Sequence, residues 1–231
     1  MNISVLGTGS VGQAIAGRLA GIGHQVFMGT RDVAGSESRT APDGWGNPAI
    51  GTWIKDHPEV KLVTFAESVN RGSDLIVFAM NGHAAFDCLN GIGSQLLAGK
   101  VMIDISNPLD FSKGFPPSLF VCNTESLAEQ IQQQFPGLKV VKSLNTMSNP
   151  VMVNPGLISG DHSVFLSGND AEAKMVVSGI LQSFGWPERN IIDLGDITTA
   201  RGTEMILPLW VRLYGKLQTP LFNFHVNMAK Q

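Results

Sequence analysis

The chain has 231 residues, a net charge of −3, 15% charged residues, 43% hydrophobic residues and 26 glycines, which suits one α/β domain or one domain with a modest extension. It has no basic stripe and no run of like charge, so neither nucleic acid nor an anionic membrane surface is an expected partner; the longest apolar run, 205–214, contains Pro208 and Arg212 and is too short to span a bilayer. Cys88 and Cys122 read as free thiols of a reducing compartment, and the N-terminus reads as a strand with no basic segment before it, so the expected location is cytoplasmic.

The apolar run 2–6 reads as a buried parallel strand. It leads into Gly7-Thr8-Gly9-Ser10-Val11-Gly12, a complete G-x-G-x-x-G, followed by a helix over 13–22 closed by Gly23 and a second strand over 25–29. Strand, glycine turn, helix and strand in this order form a dinucleotide-binding unit. Gly7 allows the tight turn, Gly9 lets a pyrophosphate approach the backbone, and Gly12 lets the helix pack on the strand. The helix N-terminus then meets the phosphates. An NAD site usually places Asp or Glu at the end of the second strand. Here that end reads Met28-Gly29-Thr30-Arg31, a hydroxyl donor and a charged fork suited to the 2′-phosphate of NADP, with Asp32 one residue beyond.

Residues 33–47 read as a loop near the adenosine end, with Arg39 either a second phosphate contact or, as we prefer from sequence, a solvated charge. A short helix over 48–54, a strand over 61–65 and a helix over 66–71 come next. The run 75–79 is a central strand buried on both faces, and its tip, Ala79-Met80-Asn81, should line the floor under a nicotinamide. His83 reads equally as a cofactor or substrate contact and as a helix-start residue bound to backbone. The strand over 101–105 ends at Ser106-Asn107-Pro108, and the strand over 139–144 ends at Asn145-Thr146, giving further polar tips at the carboxyl edge. Between them lie a loop over 111–122 and a helix over 125–135 capped by Thr124. A smaller C-terminal unit has strands over 162–167 and 190–194, a helix over 171–184 and a last, nearly all-apolar helix over 204–217. That helix is expected to be buried on the body or in a homodimer. Asp196 and Glu204 read as a helix cap and a surface pair. No histidine pair has metal-ligand spacing, so no metal is expected.

Gly7-Thr8-Gly9-Ser10-Val11-Gly12, Met28-Gly29-Thr30-Arg31, Asp104-Ile105-Ser106-Asn107-Pro108-Leu109 and Lys142-Ser143-Leu144-Asn145-Thr146-Met147 together resemble the deazaflavin (coenzyme F-420)-dependent NADP oxidoreductase family. The Gly-Asp-Ile…Ala-Arg-Gly-Thr-Glu stretch at 195–204 extends the resemblance to bacterial relatives over nearly the whole chain. The archaeal deazaflavin enzymes carry His at 145. The Asn145-Thr146 of this chain is more similar to the reductase domain of six-transmembrane ferric reductases, which use NADPH with a flavin.

The resemblance implies a Rossmann-like, doubly wound α/β fold with an NADP-binding domain over 1–150 and an extension over 151–231 that forms the acceptor pocket and dimer contact. It implies NADP(H) held by Thr8, Gly9, Ser10 and Val11 at the pyrophosphate, by Thr30 and Arg31 at the 2′-phosphate, and by Ala79, Met80, Asn81 and His83 on the nicotinamide side. Asn107, Pro108, Asn145 and Thr146 would face the ring, and F-420, FMN or FAD would be the small-molecule hydride partner. Hydride transfer between stacked rings needs orientation more than proton transfer, so no general acid or base is assigned. Two other readings stand beside it: a non-catalytic NADP-binding sensor or reductase subunit, and a dehydrogenase of a small hydroxy acid using Lys216.

Overall fold

The computed structural model describes residues 1–44 and 46–229; Trp45, within the 33–47 loop expected from sequence, lies outside them. The chain opens β1 (Asn2–Leu6), α1 (Ser10–Gly21), β2 (Gln25–Thr30), α2 (Val33–Glu37), α3 (Ile50–Asp56), β3 (Val60–Thr64), α4 (Phe65–Arg71) and β4 (Leu75–Phe78). It continues with α5 (Ala85–Ile92), α6 (Ser94–Leu97), β5 (Val101–Asp104), β6 (Leu109–Asp110), β7 (Ser118–Leu119), α7 (Leu127–Gln134) and β8 (Lys139–Lys142). The remainder is α8 (Asn149–Val153), β9 (Val164–Gly168), α9 (Ala171–Phe184), β10 (Ile191–Asp193), α10 (Ala200–Met205) and α11 (Leu207–Leu217).

Eight strands form one sheet in the order β10-β9-β8-β5-β4-β1-β2-β3. All neighbours are parallel except β8 and β9, which pair antiparallel at Val141 with Gly168 and Lys142 with Ser167. The chain therefore winds outward both ways from the β1–β4 boundary, the switch point beyond whose strand ends ligands bind in such sheets. The residues from 151 on add β9 and β10 to the same sheet.

Alternation along the strands feeds two cores. Ile3, Val5, Leu75, Val77, Ile103 and Val141 face α1, α3, α8 and α9. Leu6, Ile76, Phe78, Met102 and Val140 face α4, α5, α6 and α7. Both faces are covered, which is why these strands read as continuous apolar runs.

Several local expectations shift. α1 begins at Ser10 rather than Gln13, because Gly12 sits inside the first turn instead of preceding it. Asp32 is the N-cap of α2, its carboxylate accepting from Gly35 N, so part of the expected 33–47 loop is helical. α7 is capped by Ser126, which accepts from Glu129 N, and not by Thr124. The expected 111–122 loop is closed by the antiparallel β6–β7 pair. The last helical stretch is broken into α10 and α11 ahead of Pro208, where the ring removes a backbone donor. In α11 Leu207 and Val211 are buried while Leu209 and Leu217 are half exposed. Among the described residues no helix is long and apolar enough to cross a membrane.

Candidate cofactor and acceptor site

The glycine turn after β1 has the backbone its sequence requires. Gly7 takes a φ of +121°, and a Cβ there would meet the Ala79 carbonyl oxygen at 2.5 Å. A Cβ on Gly12 would collide with the Gly7 carbonyl. Around Gly9, by contrast, an added Cβ meets nothing, so no packing within the chain calls for glycine there. The first intrahelical bond of α1 runs from Gln13 N to Gly9 O. The N–H groups of Ser10, Val11 and Gly12 lie ahead of it, as the unsatisfied donors of a helix start. Gln13 Nε2 donates to Thr8 O and to Pro48 O, and Asn149 Nδ2 donates to Ser10 O, pinning the turn from both sides.

Three connected recesses run across the switch point. At the tips of β4, β5 and β8 a cleft of about 310 Å³ is lined by Gly9, Ser10, Val11, Ala79, Met80, Asn81, Asn107 and Asn145, with an apolar wall that includes Met147, Met152, Leu207 and Trp210. Met80 is shared with two further recesses of about 400 and 410 Å³ at the ends of β2 and β3, both lined by Thr30, Arg31 and Phe65. Gly7, Thr8, Ser36 and Arg39 complete one of them. Burial pushes the thiol of Cys88, which lines the other, up to about 12, so it stays protonated at neutral pH.

The structure thus brings together most of the residues singled out from sequence. Gly12, Pro108, Thr146 and His83 are not among those lining the recesses. Thr146 is buried, the Pro108 carbonyl accepts from Phe120 N, and the His83 ring packs against Phe120 at a tilt of 33° with ring centroids 4.3 Å apart. The backbone N–H of His83 donates to Asn81 Oδ1.

Arg39 is exposed, as preferred from sequence, but its side chain is also hydrogen-bonded within the chain. Its Nη2 donates to Ser36 Oγ at 2.9 Å and Thr8 Oγ1 at 3.2 Å, and Ser36 Oγ lies 2.7 Å from Thr30 Oγ1. α2 creates this cluster by turning Ser36 and Arg39 back over the β2 tip.

Glu204 is not a surface residue. It is 1% exposed, and its Oε1 lies 2.9 Å from Lys142 Nζ, itself 1% exposed. Lys142 also donates to Asp104 Oδ2 at 2.8 Å and to the Ser106 carbonyl at 2.6 Å. Two carboxylates therefore converge on one ammonium, a pairing that the sequence did not disclose. Asp104 Oδ1 accepts from Ser106 N and Oγ, and Glu204 accepts from Leu127 N and Ala128 N at the start of α7. Burial by itself would lower the Lys142 pKa, but the two carboxylates more than offset this and hold it above its ordinary value.

This triad locks the cleft floor. Asn107 Nδ2 donates to Asn145 O, and Asn145 Nδ2 donates to Asn107 Oδ1 at 2.9 Å and to Thr203 O at 3.1 Å. Leu144 precedes this contact in a left-handed conformation, φ 63°, uncommon for a non-glycine residue and worth of order 1 kcal/mol of strain. Replacing Lys142 with Met is expected to leave two buried carboxylates uncompensated and to lower stability by about 3–5 kcal/mol, read by urea denaturation.

Comparison with known proteins agrees with this geometry. Residues 2–108 match the family described as NADP oxidoreductase coenzyme F420-dependent. The metalloreductase STEAP3 of Rattus norvegicus is 29% identical over 90% of this chain, which spans 37% of that protein. The F420-dependent NADP reductase of Methanothermobacter marburgensis is 25% identical over 92% of both chains. A crystal structure of a putative F420-dependent NADP-reductase from Arthrobacter sp. FB24 superposes with a TM-score of 0.92 at 50% identity, covering 99% of this chain and 100% of that one. With the glycine turn, the strand-tip cleft and this full-length match in agreement, the chain belongs to the coenzyme F420-dependent NADP oxidoreductase family.

Proposed function

We propose that this chain binds NADP(H) along the groove over β1 and β4 and passes hydride between the nicotinamide and a flavin-type ring (F-420, FMN or FAD) stacked in the strand-tip cleft. One observation carries the reading: a hydroxyl-and-guanidinium cluster, a free helix start and an apolar cleft follow one another along a single groove. Thr30, Ser36, Arg31 and Arg39 suit a 2′-phosphate, the α1 N-terminus suits a pyrophosphate, and the cleft at Asn107 and Asn145 suits the nicotinamide. The names of the relatives support the same cofactor.

None of the side chains lining the cleft is an acid or base at neutral pH. The chain's contribution is therefore orientation: the locked Asn107–Asn145 pair fixes the floor and Trp210 closes one wall. Two electrons and one proton leave NADPH as hydride, and the second proton needed by a reduced flavin comes from water. The open cleft favours this reading over a sensor with a blocked site. Lys216 does not line the cleft, and a hydroxy-acid dehydrogenase would need such a group there.

Purified protein is expected to oxidise NADPH, followed by absorbance, when riboflavin, FMN, FAD or F-420 is supplied, and to use NADH much less well. Tight NADPH binding without turnover of any acceptor would reject the hydride-transfer reading. Gly9→Ala should cost no more than about 1 kcal/mol of stability, since only the N-cap preference is lost. It should nevertheless weaken NADPH binding by about tenfold or more, because the new methyl occupies the phosphate approach. Self-association through the outer face of α11, with Leu209 and Leu217 at its centre, belongs to the same proposal. Sedimentation should then give twice the 24.7 kDa chain mass, and a monomer at micromolar concentration would reject it.

A further inference from the structure

We infer that Phe222 is a positioning residue of the strand-tip cleft: from the C-terminal segment it fixes the indole of Trp210 as the wall against which the acceptor ring packs. The inference rests on the flavin-type reading above and deepens it. Trp210 lines the cleft from α11. Its indole N–H is buried and donates to no atom of the described residues, so no hydrogen bond sets the orientation of the ring. Stacking does. Tyr214 lies nearly parallel to the indole, at 7° with centroids 5.6 Å apart, but it belongs to α11 and moves with it. Phe222 lies at 22° with centroids 5.2 Å apart and reaches Trp210 from another segment.

That segment is held in place by the body of the protein. Residues 219–229 form no helix or strand. Gln218 ends α11 in a left-handed conformation, φ 54°. Ser148 Oγ then donates to Pro220 O at 2.8 Å, next to the Asn149 that pins Ser10. Past Phe222, Asn223 Nδ2 donates to Ser163 O at 3.0 Å and to His162 Nδ1 at 2.9 Å. The buried His162 donates from Nε2 to Pro155 O, which leaves Nδ1 as an acceptor. Ser163 N donates to Phe224 O, and Val226 N donates to Ser163 Oγ. Phe222 is therefore anchored on both sides, by the chain leading into α8 and by the chain leading into β9.

An aromatic wall held at one angle offers a planar ring a flat contact whose ordering cost is met on folding, not on binding. With Phe222 truncated, the indole keeps neither a hydrogen bond nor a ring from outside its own helix, and the cost of ordering it falls on the acceptor. The acceptor meets the same wall before and during hydride transfer, so the loss appears in KM and not in kcat.

Riboflavin and F-420 are the acceptor probes, each titrated by its own fluorescence into protein saturated with NADP+ and then offered with NADPH. For the probe that wild-type protein reduces, Phe222→Ala should raise Kd and KM about threefold to tenfold, the worth of one aromatic contact, with kcat and the Kd of NADPH unchanged. Phe222→Tyr, which keeps the ring, should restore the wild-type values. In a Trp210→Ala background Phe222→Ala should add nothing, since it acts through the indole. In protein labelled with 5-fluorotryptophan, the fluorine signal assigned to Trp210 by its loss in Trp210→Phe should shift or broaden in Phe222→Ala. Phe222→Leu, which keeps volume without a flat face, gives the same readings should the alanine variant not fold. An unchanged acceptor Kd, an unchanged Trp210 signal, or an equal rise in Kd in the Trp210→Ala background overturns the inference and leaves the proposed function standing. Wild-type protein that neither binds nor reduces either probe overturns both.

Discussion

The buried meeting of Lys142 with Asp104 and Glu204 is the constraint on which the functional end of this molecule depends. It joins the tip of β5, the tip of β8, the start of α7 and the end of α10 at one point. Buried charges are costly, and a triad of this kind gives little net stability compared with an apolar core. What it supplies is register. With the Ser106 carbonyl and the α7 N–H groups fixed to it, the two asparagines of the cleft floor can meet in only one way. The left-handed turn at Leu144 is held in place by the same surroundings.

The two ends of the groove follow opposite electrostatic rules. At the β2 end, Arg39, Ser36 and Thr30 form a donor-rich cluster next to Arg31, a surface suited to phosphate. At the β5–β8 end, charge is present only behind the floor, and it is consumed there. The Rossmann winding puts both ends at the carboxyl edge of one sheet, so a single extended ligand can span them. In the proposed function, the charged tail of the dinucleotide would lie at the β2 end and its nicotinamide at the β5–β8 end.

Much of this was legible from the chain. The glycine turn, the alternation of strands and helices, and the polar tips at Asn81, Asn107 and Asn145 each lie within a few consecutive residues. The physics that places them acts over the same range: the φ freedom of Gly7, the close contact at Gly12, and the two-sided burial of 75–79. Glu204 was misread, and the side-chain contacts of Arg39 were missed, for the opposite reason. An arginine in a glycine-rich stretch shows no partner until the chain turns back on itself, and a glutamate in a helix looks solvated until another segment is folded over it. No local pattern reveals that Ser36 and Thr8 flank the one, or that Lys142 awaits the other. Lys142 itself stands at the end of an apolar strand, where its burial could have drawn attention only with a partner in sight.

The sequence by itself determined the fold class, the succession of strands and helices, and the presence of a dinucleotide-binding turn, because these depend on backbone conformation and hydrophobic period. The tertiary structure alone decided how charge is distributed around the site. Asp104 and Lys142 are 38 residues apart, and Glu204 is 77 residues from the Leu127 amide it accepts from. Ion pairing across such separations depends on where the sheet and helices bring the chain back together. Whether a charged side chain serves a ligand or is spent within the protein is therefore set only when the fold closes around it.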